Sequence, residues 1–166
     1  MPRPSCSWTK ATRSRRRPEA LLAAALVGLG ACAPNAPKGV DKDKLDQAVS
    51  DAIGDVATCV MMADKASGKV VYRYNTNTVC ARQLPSCQGA GKMTVKALLD
   101  ATVKDGQPRQ LSCSTTADNS RGVAWASAVL PQSGVAYAAV MEGTRTFPGR
   151  MMADRLEPRL ADVGLK

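Results

Sequence analysis

Apolar residues recur at the helical period in three segments of the chain. The three segments are 41–54, 92–104 and 150–163. Each predicts an amphipathic helix, because residues three or four apart lie on the same helical face. Pro158 falls inside the last segment and is expected to interrupt or kink that helix, because proline cannot donate a backbone hydrogen bond.

Five further segments are typical of β-strands, with β-branched and aromatic residues that alternate with smaller ones. They are 58–63, 69–74, 110–115, 123–130 and 135–142. Turn residues at 64–68 and 131–134 predict hairpins, and 75–91 is expected to be a long loop. The order helix, hairpin, helix, three strands, helix predicts an α+β fold, a five-stranded antiparallel sheet with helices on both faces. We expect a core of Ile53, Val60, Val70, Leu98, Leu99, Val123, Trp125, Val140 and Leu156.

Composition and charge exclude several classes of function. The chain of 166 residues has no histidine, which excludes Ser-His-Asp and Cys-His catalysis and histidine-ligated metals. Of the net charge of +9, residues 1–31 carry +5 and the remainder carries a dispersed +4. No basic stripe interleaved with aromatic residues is present, so nucleic-acid binding is not expected. No cofactor and no metal is expected either.

The amino-terminal residues are typical of an export signal. Basic residues at 13–17 precede an apolar run at 20–29, which is too short to cross a bilayer but fits a signal peptide. The run ends in Leu29-Gly30-Ala31-Cys32, which resembles a bacterial lipobox and predicts lipidation of Cys32. The alternative is ordinary cleavage after Ala31.

These features predict three parts of the chain. We expect a lipoprotein signal peptide at 1–31, a Pro-rich tether at 32–40 and a single α+β domain at 41–166. The predicted location is the bacterial cell envelope, on the periplasmic face of the outer membrane, since Ala33 rather than Asp follows the predicted anchor. The expected partners are the membrane, through the lipid, and a cell-wall peptide or another protein.

Four cysteines remain after the signal peptide and the anchor are set aside. Cys59, Cys80, Cys87 and Cys113 are an even number in an oxidising compartment, which favours two disulfides with three possible connectivities. Zinc is the alternative, although no CxxC pair is present.

Two stretches of the domain resemble the penicillin-recognising serine enzymes, the β-lactamases and penicillin-binding transpeptidases. Residues 58–75 with 81–85 are similar to the opening hairpin and the approach to the nucleophile. Residues 112–131 with 135–142 are similar to the strand that bears the KTG motif and to the two strands after it. The resemblance covers about half of the mature domain.

The catalytic motifs of that family do not carry over. In the SxxK motif, a lysine one helical turn from the serine takes the proton of the serine, and residues 85–96 contain no such pair. The place of the KTG motif is taken by Ser112-Cys113-Ser114. Ser86, Lys92 and Ser114 are the remaining catalytic candidates. Lys92 is expected on the helix 92–104, where it more simply belongs to the solvated face. Ser112 and Ser114, with Thr115 and Thr116, are candidates for a hydroxyl-rich pocket.

The resemblance also implies a disulfide pairing. Cys87 would enter the second helix and Cys113 would lie on the KTG-like strand, so a Cys87–Cys113 bond would fill the place of the lost active site. Cys59 would then pair with Cys80. The alternative is a local bond between Cys80 and Cys87.

Three functions follow as hypotheses. The first is a non-catalytic, β-lactamase-like binding domain on a lipid anchor. The second is a serine hydrolase acting on β-lactams or D-Ala-D-Ala peptides. The third is a dimerising scaffold, because the order of elements is similar to that of roadblock-like and profilin-like domains.

Overall fold

A computed structural model of the chain describes residues 36–166. The predicted signal peptide, the predicted lipidation at Cys32 and the first residues of the tether lie outside the described residues. The domain has four helices, α1 Lys42–Ile53, α2 Asn77–Cys80, α3 Val95–Asp105 and α4 Gly149–Asp162. Its strands are β1 Cys59–Asp64, β2 Val70–Tyr74, β3 Leu84–Pro85, β4 Lys92–Met93, β5 Arg109–Ser114, β6 Gly122–Leu130 and β7 Val135–Gly143.

Five strands form one antiparallel sheet in the order β2-β1-β7-β6-β5. The hairpin β1-β2 joins the meander β5-β6-β7 through β1 and β7, where Cys59 pairs with Val140. β2 and β5 are the edge strands of this sheet. The predicted fold class is therefore confirmed, and the two short strands β3 and β4 form a separate hairpin.

Each helix begins and ends where local chemistry favours it. The Asp41 side chain caps α1 by accepting a hydrogen bond from the Lys44 amide at 3.0 Å. Gly54 ends the helix, and a Cβ there would lie 2.5 Å from the Ser50 carbonyl oxygen, so only glycine fits. α4 runs through Pro158 without interruption, and Pro158 lies on its exposed side. The expected interruption was wrong, because the carbonyl that loses its partner there can be hydrated.

The helices cover both faces of the sheet. α1 and α4 pack on one face, and their core includes Leu45, Ile53 and Leu156. α3 packs on the other face against β1, β7 and β6, where Leu99 and Trp125 are buried. We call these the α1/α4 face and the α3 face.

Eight of the nine predicted core residues are buried. Val70 is only half-buried, because it begins the edge strand β2 and packs at the margin of the α3 face.

The region predicted as loop 75–91 contains more regular structure than expected. The short helix α2 and the strand β3 both lie within it. Lys92 belongs to β4 rather than to a helix, so that part of the prediction was wrong. The reason is local: residues 92–93 pair with 84–85, and Thr94 then caps α3 by accepting a hydrogen bond from the Ala97 amide at 3.1 Å.

The predicted tether is partly docked on the domain. Pro37 is buried, and Ala36 and Val40 pack against the core of the α1/α4 face. The Val40 amide donates to the Pro37 carbonyl at 3.1 Å. Among residues 36–166, no helix combines the length and the apolar character that crossing a bilayer requires.

Candidate functional site

A covalently fixed loop covers the β5-β6 end of the α3 face. The structure pairs Cys87 with Cys113 of β5, with a Cα–Cα distance of 5.4 Å. On the neighbouring strand, the buried Trp125 indole donates a hydrogen bond to the Pro85 carbonyl at 2.8 Å. Leu111 and Trp125 are register partners, as are Cys113 and Val123, so both attachments lie side by side on β5 and β6. The segment 85–87 is therefore held at two points, one on β5 and one on β6.

The second disulfide joins Cys59 to Cys80, with a Cα–Cα distance of 5.3 Å. It fastens α2 to the buried start of β1, also on the α3 face. The two disulfides are the pairing that the family resemblance implied, and the local bond between Cys80 and Cys87 is not formed. All four cysteines that could have bound zinc form disulfides, so none of them has a free thiolate to offer the metal.

The three catalytic candidates do not converge. Ser86 lies in the turn between β3 and β4, and its hydroxyl donates to the Gln88 carbonyl at 3.2 Å. Lys92 pairs with Pro85 in the same hairpin, and strand alternation directs neighbouring side chains to opposite sides. Among the described residues, the Ser86 hydroxyl has its hydrogen bonds with Gln88 and none with Lys92.

Ser114 lies on the far side of β5 from the disulfide. Side chains along β5 alternate between half-buried and exposed, and Cys113 belongs to the half-buried set that packs on the α3 face. Ser112 and Ser114 therefore project toward the α1/α4 side. A serine on one face of a strand cannot share a proton with a lysine held on the other.

Ser112 and Ser114 instead line a pocket of about 280 Å³ beside the start of α4. We call this the serine pocket. Its other polar lining comes from Asn119, Ser120, Arg121, Thr144 and Thr146. The structure thus places two of the four predicted hydroxyl residues in one pocket, whereas Thr115 and Thr116 do not line it. The pocket offers hydroxyl donors and one guanidinium, and it contains no lysine.

Sequence reasoning missed an ionic cluster at this end of the sheet. Glu142 accepts hydrogen bonds from Arg82 at 2.8 Å and from Arg121 at 3.0 Å, one on each carboxylate oxygen. The Glu142 side chain is 13% exposed. Burial raises the pKa of Glu142, but the hydrogen bonds from Arg121 and Arg82 outweigh it and hold the pKa below its ordinary value.

The cluster fixes Arg121 between two cavities. A second pocket of about 580 Å³ is lined by Arg82, Arg121 and Arg145, together with Glu142. It shares Arg121 with the serine pocket, so the guanidinium borders both. The pairing of Arg121 with Glu142 could have been found from the register of the β6-β7 hairpin, in which Val123 faces Glu142. Arg82 could not, because it comes from a loop 60 residues away in sequence from Glu142.

Comparison with known proteins does not assign a function to the serine pocket, and neither does metal chemistry. No family model, curated protein or solved structure matches the chain. Within residues 36–166, no three histidine, cysteine or acidic side chains come together as metal ligands. The resemblance to penicillin-recognising enzymes stays a prediction. The proposal below also rests on the loop fastened to β5 and β6 and on the serine pocket.

Proposed function

We propose that this protein is a lipoprotein, anchored through Cys32 on the periplasmic side of the outer membrane, with a β-lactamase-like domain that binds a ligand without catalysis. The observation that carries the proposal is the cover over the KTG-like strand. The Cys87–Cys113 disulfide and the Trp125–Pro85 hydrogen bond hold a loop where a substrate of the resembled family would meet its nucleophile.

The chemistry of the remaining serines supports binding over catalysis. A nucleophilic serine needs a base within hydrogen-bond reach that can take its proton. Ser86 is hydrogen-bonded to Gln88. Ser114 borders the serine pocket, where Arg121 is the one ionisable side chain contributed by the described residues, and Arg121 stays protonated. Within residues 36–166, neither serine has a hydrogen bond to the base that acyl transfer requires.

The serine pocket favours a ligand that carries a carboxylate. Arginine and hydroxyl groups bind carboxylates through several parallel hydrogen bonds. Arg121 is oriented by Glu142 through a single terminal nitrogen in the described contacts, so the guanidinium keeps further donors. We infer a cell-wall peptide as the ligand, bound through its terminal carboxylate.

A fluorescent penicillin tests the absence of catalysis. After incubation with the purified protein, intact-mass spectrometry should find no covalent adduct. The Ser86→Ala and Ser114→Ala variants are the matched controls. An adduct that disappears in either variant would overturn the proposal in favour of the serine hydrolase.

Calorimetric titration with a short peptide that ends in D-Ala-D-Ala tests binding. We expect saturable binding that weakens at least tenfold in Arg121→Ala, the loss of about 1.4 kcal/mol. Arg159→Ala is the control, because Arg159 lies near the opposite end of α4 from the pocket. Equal affinities for the two variants would contradict the assigned pocket.

The anchor is tested separately. Replacing Cys32 with serine should leave unprocessed precursor in the membrane fraction, and the natural chain should carry a lipid on Cys32 by mass spectrometry. Processing to an unlipidated, soluble form in both proteins would contradict the anchor and leave the binding proposal to the titration.

The dimerising scaffold is the second candidate, and one observation favours it. β5 is an edge strand of the main sheet, and edges can pair with another chain. Size-exclusion chromatography with light scattering decides the matter. A mass that rises to twice the monomer with concentration supports the scaffold, and a constant monomer contradicts it.

A further inference from the structure

The docked part of the tether limits how far the domain can stand from the membrane. Ala36 and Pro37 are held against the domain, so only four peptide steps separate Cys32 from the first docked residue. Four fully extended residues span roughly 14 Å. If Cys32 carries a lipid, the surface around residues 36–40 therefore stays close to the lipid headgroups.

That surface lies at one defined end of the sheet. A cavity there is lined by Pro37, Lys38, Ser67, Lys69 and Ser133, among others. Lys166 belongs to the same end, because its carbonyl accepts a hydrogen bond from the Ser133 amide at 2.8 Å. We call this the tether end. It contains the β1-β2 and β6-β7 turns, whereas the serine pocket lies at the opposite end of β7.

The tether end is basic. This end carries four lysines and one acidic side chain, which are Lys38, Lys65, Lys69, Lys166 and Asp64. None of these four lysines forms a salt bridge within the described residues. The adjoining start of α1 and its cap add three aspartates, Asp41, Asp43 and Asp46, against Lys42 and Lys44. The side chains at this end therefore sum to +2, half of the +4 carried by the chain from Cys32 onward.

We propose that the tether end is a membrane-docking surface whose lysines contact anionic phospholipid headgroups of the leaflet that holds the lipid anchor. The inference rests on the proposed lipidation of Cys32. Headgroup charge acts over a Debye length of about 8 Å, which is comparable to the maximum reach of the tether. Lysine attraction and the short tether therefore orient the domain together.

The orientation has a consequence for ligand access. β7 runs from the tether end to the serine pocket, and its nine residues extend about 27 Å. Docking at the tether end points the serine pocket away from the bilayer. A peptide of the cell wall could then reach the pocket without competing with the membrane.

Lysine labelling on the lipidated full chain tests the docking. The protein is reconstituted in vesicles with 30% anionic phospholipid or in neutral detergent, and an amine-reactive acetylating reagent is followed by peptide mass spectrometry. Labelling of Lys38, Lys69 and Lys166 should slow several-fold in the vesicles. Lys92 and Lys96 are internal controls, because both are exposed near the start of α3, away from the tether end, and their rates should not change.

A charge-reversal pair sharpens the experiment. In Lys38→Glu with Lys69→Glu, labelling of Lys166 in anionic vesicles should return toward its rate in detergent. The matched variant, Lys92→Glu with Lys96→Glu, should leave Lys166 protected. Equal protection of both lysine groups in a chain whose mass shows the lipid would overturn the docking and leave the anchor intact. A chain without the lipid would overturn the anchor and the docking with it.

Discussion

The two faces of the sheet are closed by different means. On the α1/α4 face, two long helices bury a continuous apolar cluster, and Leu45, Met152, Leu156 and Leu160 are all fully buried there. On the α3 face, one helix covers β1, β7 and part of β6, and the rest is covered by a loop. Both disulfides lie on this second face. Covalent bonds thus stabilise the face on which helical packing is incomplete.

The crosslinked loop and the serine pocket also lie on different sides of β5. The crosslinked loop lies over β5 and β6 on the α3 face, whereas the serine pocket opens beside the start of α4. Substitutions on each face should therefore have effects of different size and different origin.

The largest effect is expected from a cavity on the α1/α4 face. Leu156→Ala removes a fully buried side chain from the packed cluster and should lower the free energy of unfolding by about 4 kcal/mol, from lost burial and the cavity that remains. Chemical denaturation measures it. Met151→Ala on the same helix is the control, because Met151 is 42% exposed and should cost less than 1 kcal/mol. Similar losses for both would contradict the packed cluster.

The next effect is expected from the disulfide on the α3 face. Replacing Cys87 and Cys113 with alanine should cost about 3 kcal/mol, since the bond closes a segment of 26 residues in the unfolded chain. Denaturation of the variant and the parent under oxidising conditions measures the loss. A reductant breaks both disulfides in the parent and the remaining Cys59–Cys80 bond in the variant, so the two proteins should become similarly stable once reduced. A variant as stable as the oxidised parent would show that packing alone closes this face.

Local signals in the sequence were sufficient for most of the fold. The helical period identified α1, and alternation identified all five strands of the main sheet. Lys92 was placed on a helix because its segment is continuous with an apolar period. In the structure, Thr94 caps α3, and residues 92–93 pair with 84–85 as a short strand. Strands of two residues have no periodic pattern, so the sequence could not predict this pairing.

The site was less predictable than the fold. The disulfide pairing followed from the family resemblance, since spacing alone allowed three connectivities. Ser112 and Ser114 were expected in a hydroxyl-rich pocket together with Thr115 and Thr116, and the structure places only the two serines there. The Arg82–Glu142–Arg121 cluster was missed, because it needs the position of a loop relative to a sheet end, which no local pattern encodes.

A smaller effect is expected where the loop is held without a covalent bond. Trp125→Phe keeps an aromatic ring in the core but removes the donor to the Pro85 carbonyl, and should cost about 2 kcal/mol. Amide hydrogen exchange should also rise in residues 85–91, while exchange in α4 stays unchanged. Unchanged exchange in the loop would contradict the role of this hydrogen bond.

The smallest effect is expected at the ionic cluster, and it depends on pH. Because the pKa of Glu142 lies below its ordinary value of 4.5 in the folded chain, its ionised form favours folding. That contribution is present above pH 4.5 and is lost as the pH falls through the folded pKa. Glu142→Gln should therefore cost about 1 kcal/mol at pH 7, since both arginines are partly exposed, and progressively less below pH 4.5.

Asp154→Asn, which breaks an exposed ion pair, should change stability little at either pH. If the free energy of unfolding of Glu142→Gln differed from that of the parent by a constant amount across this pH range, the cluster would stabilise the fold by packing and not by charge.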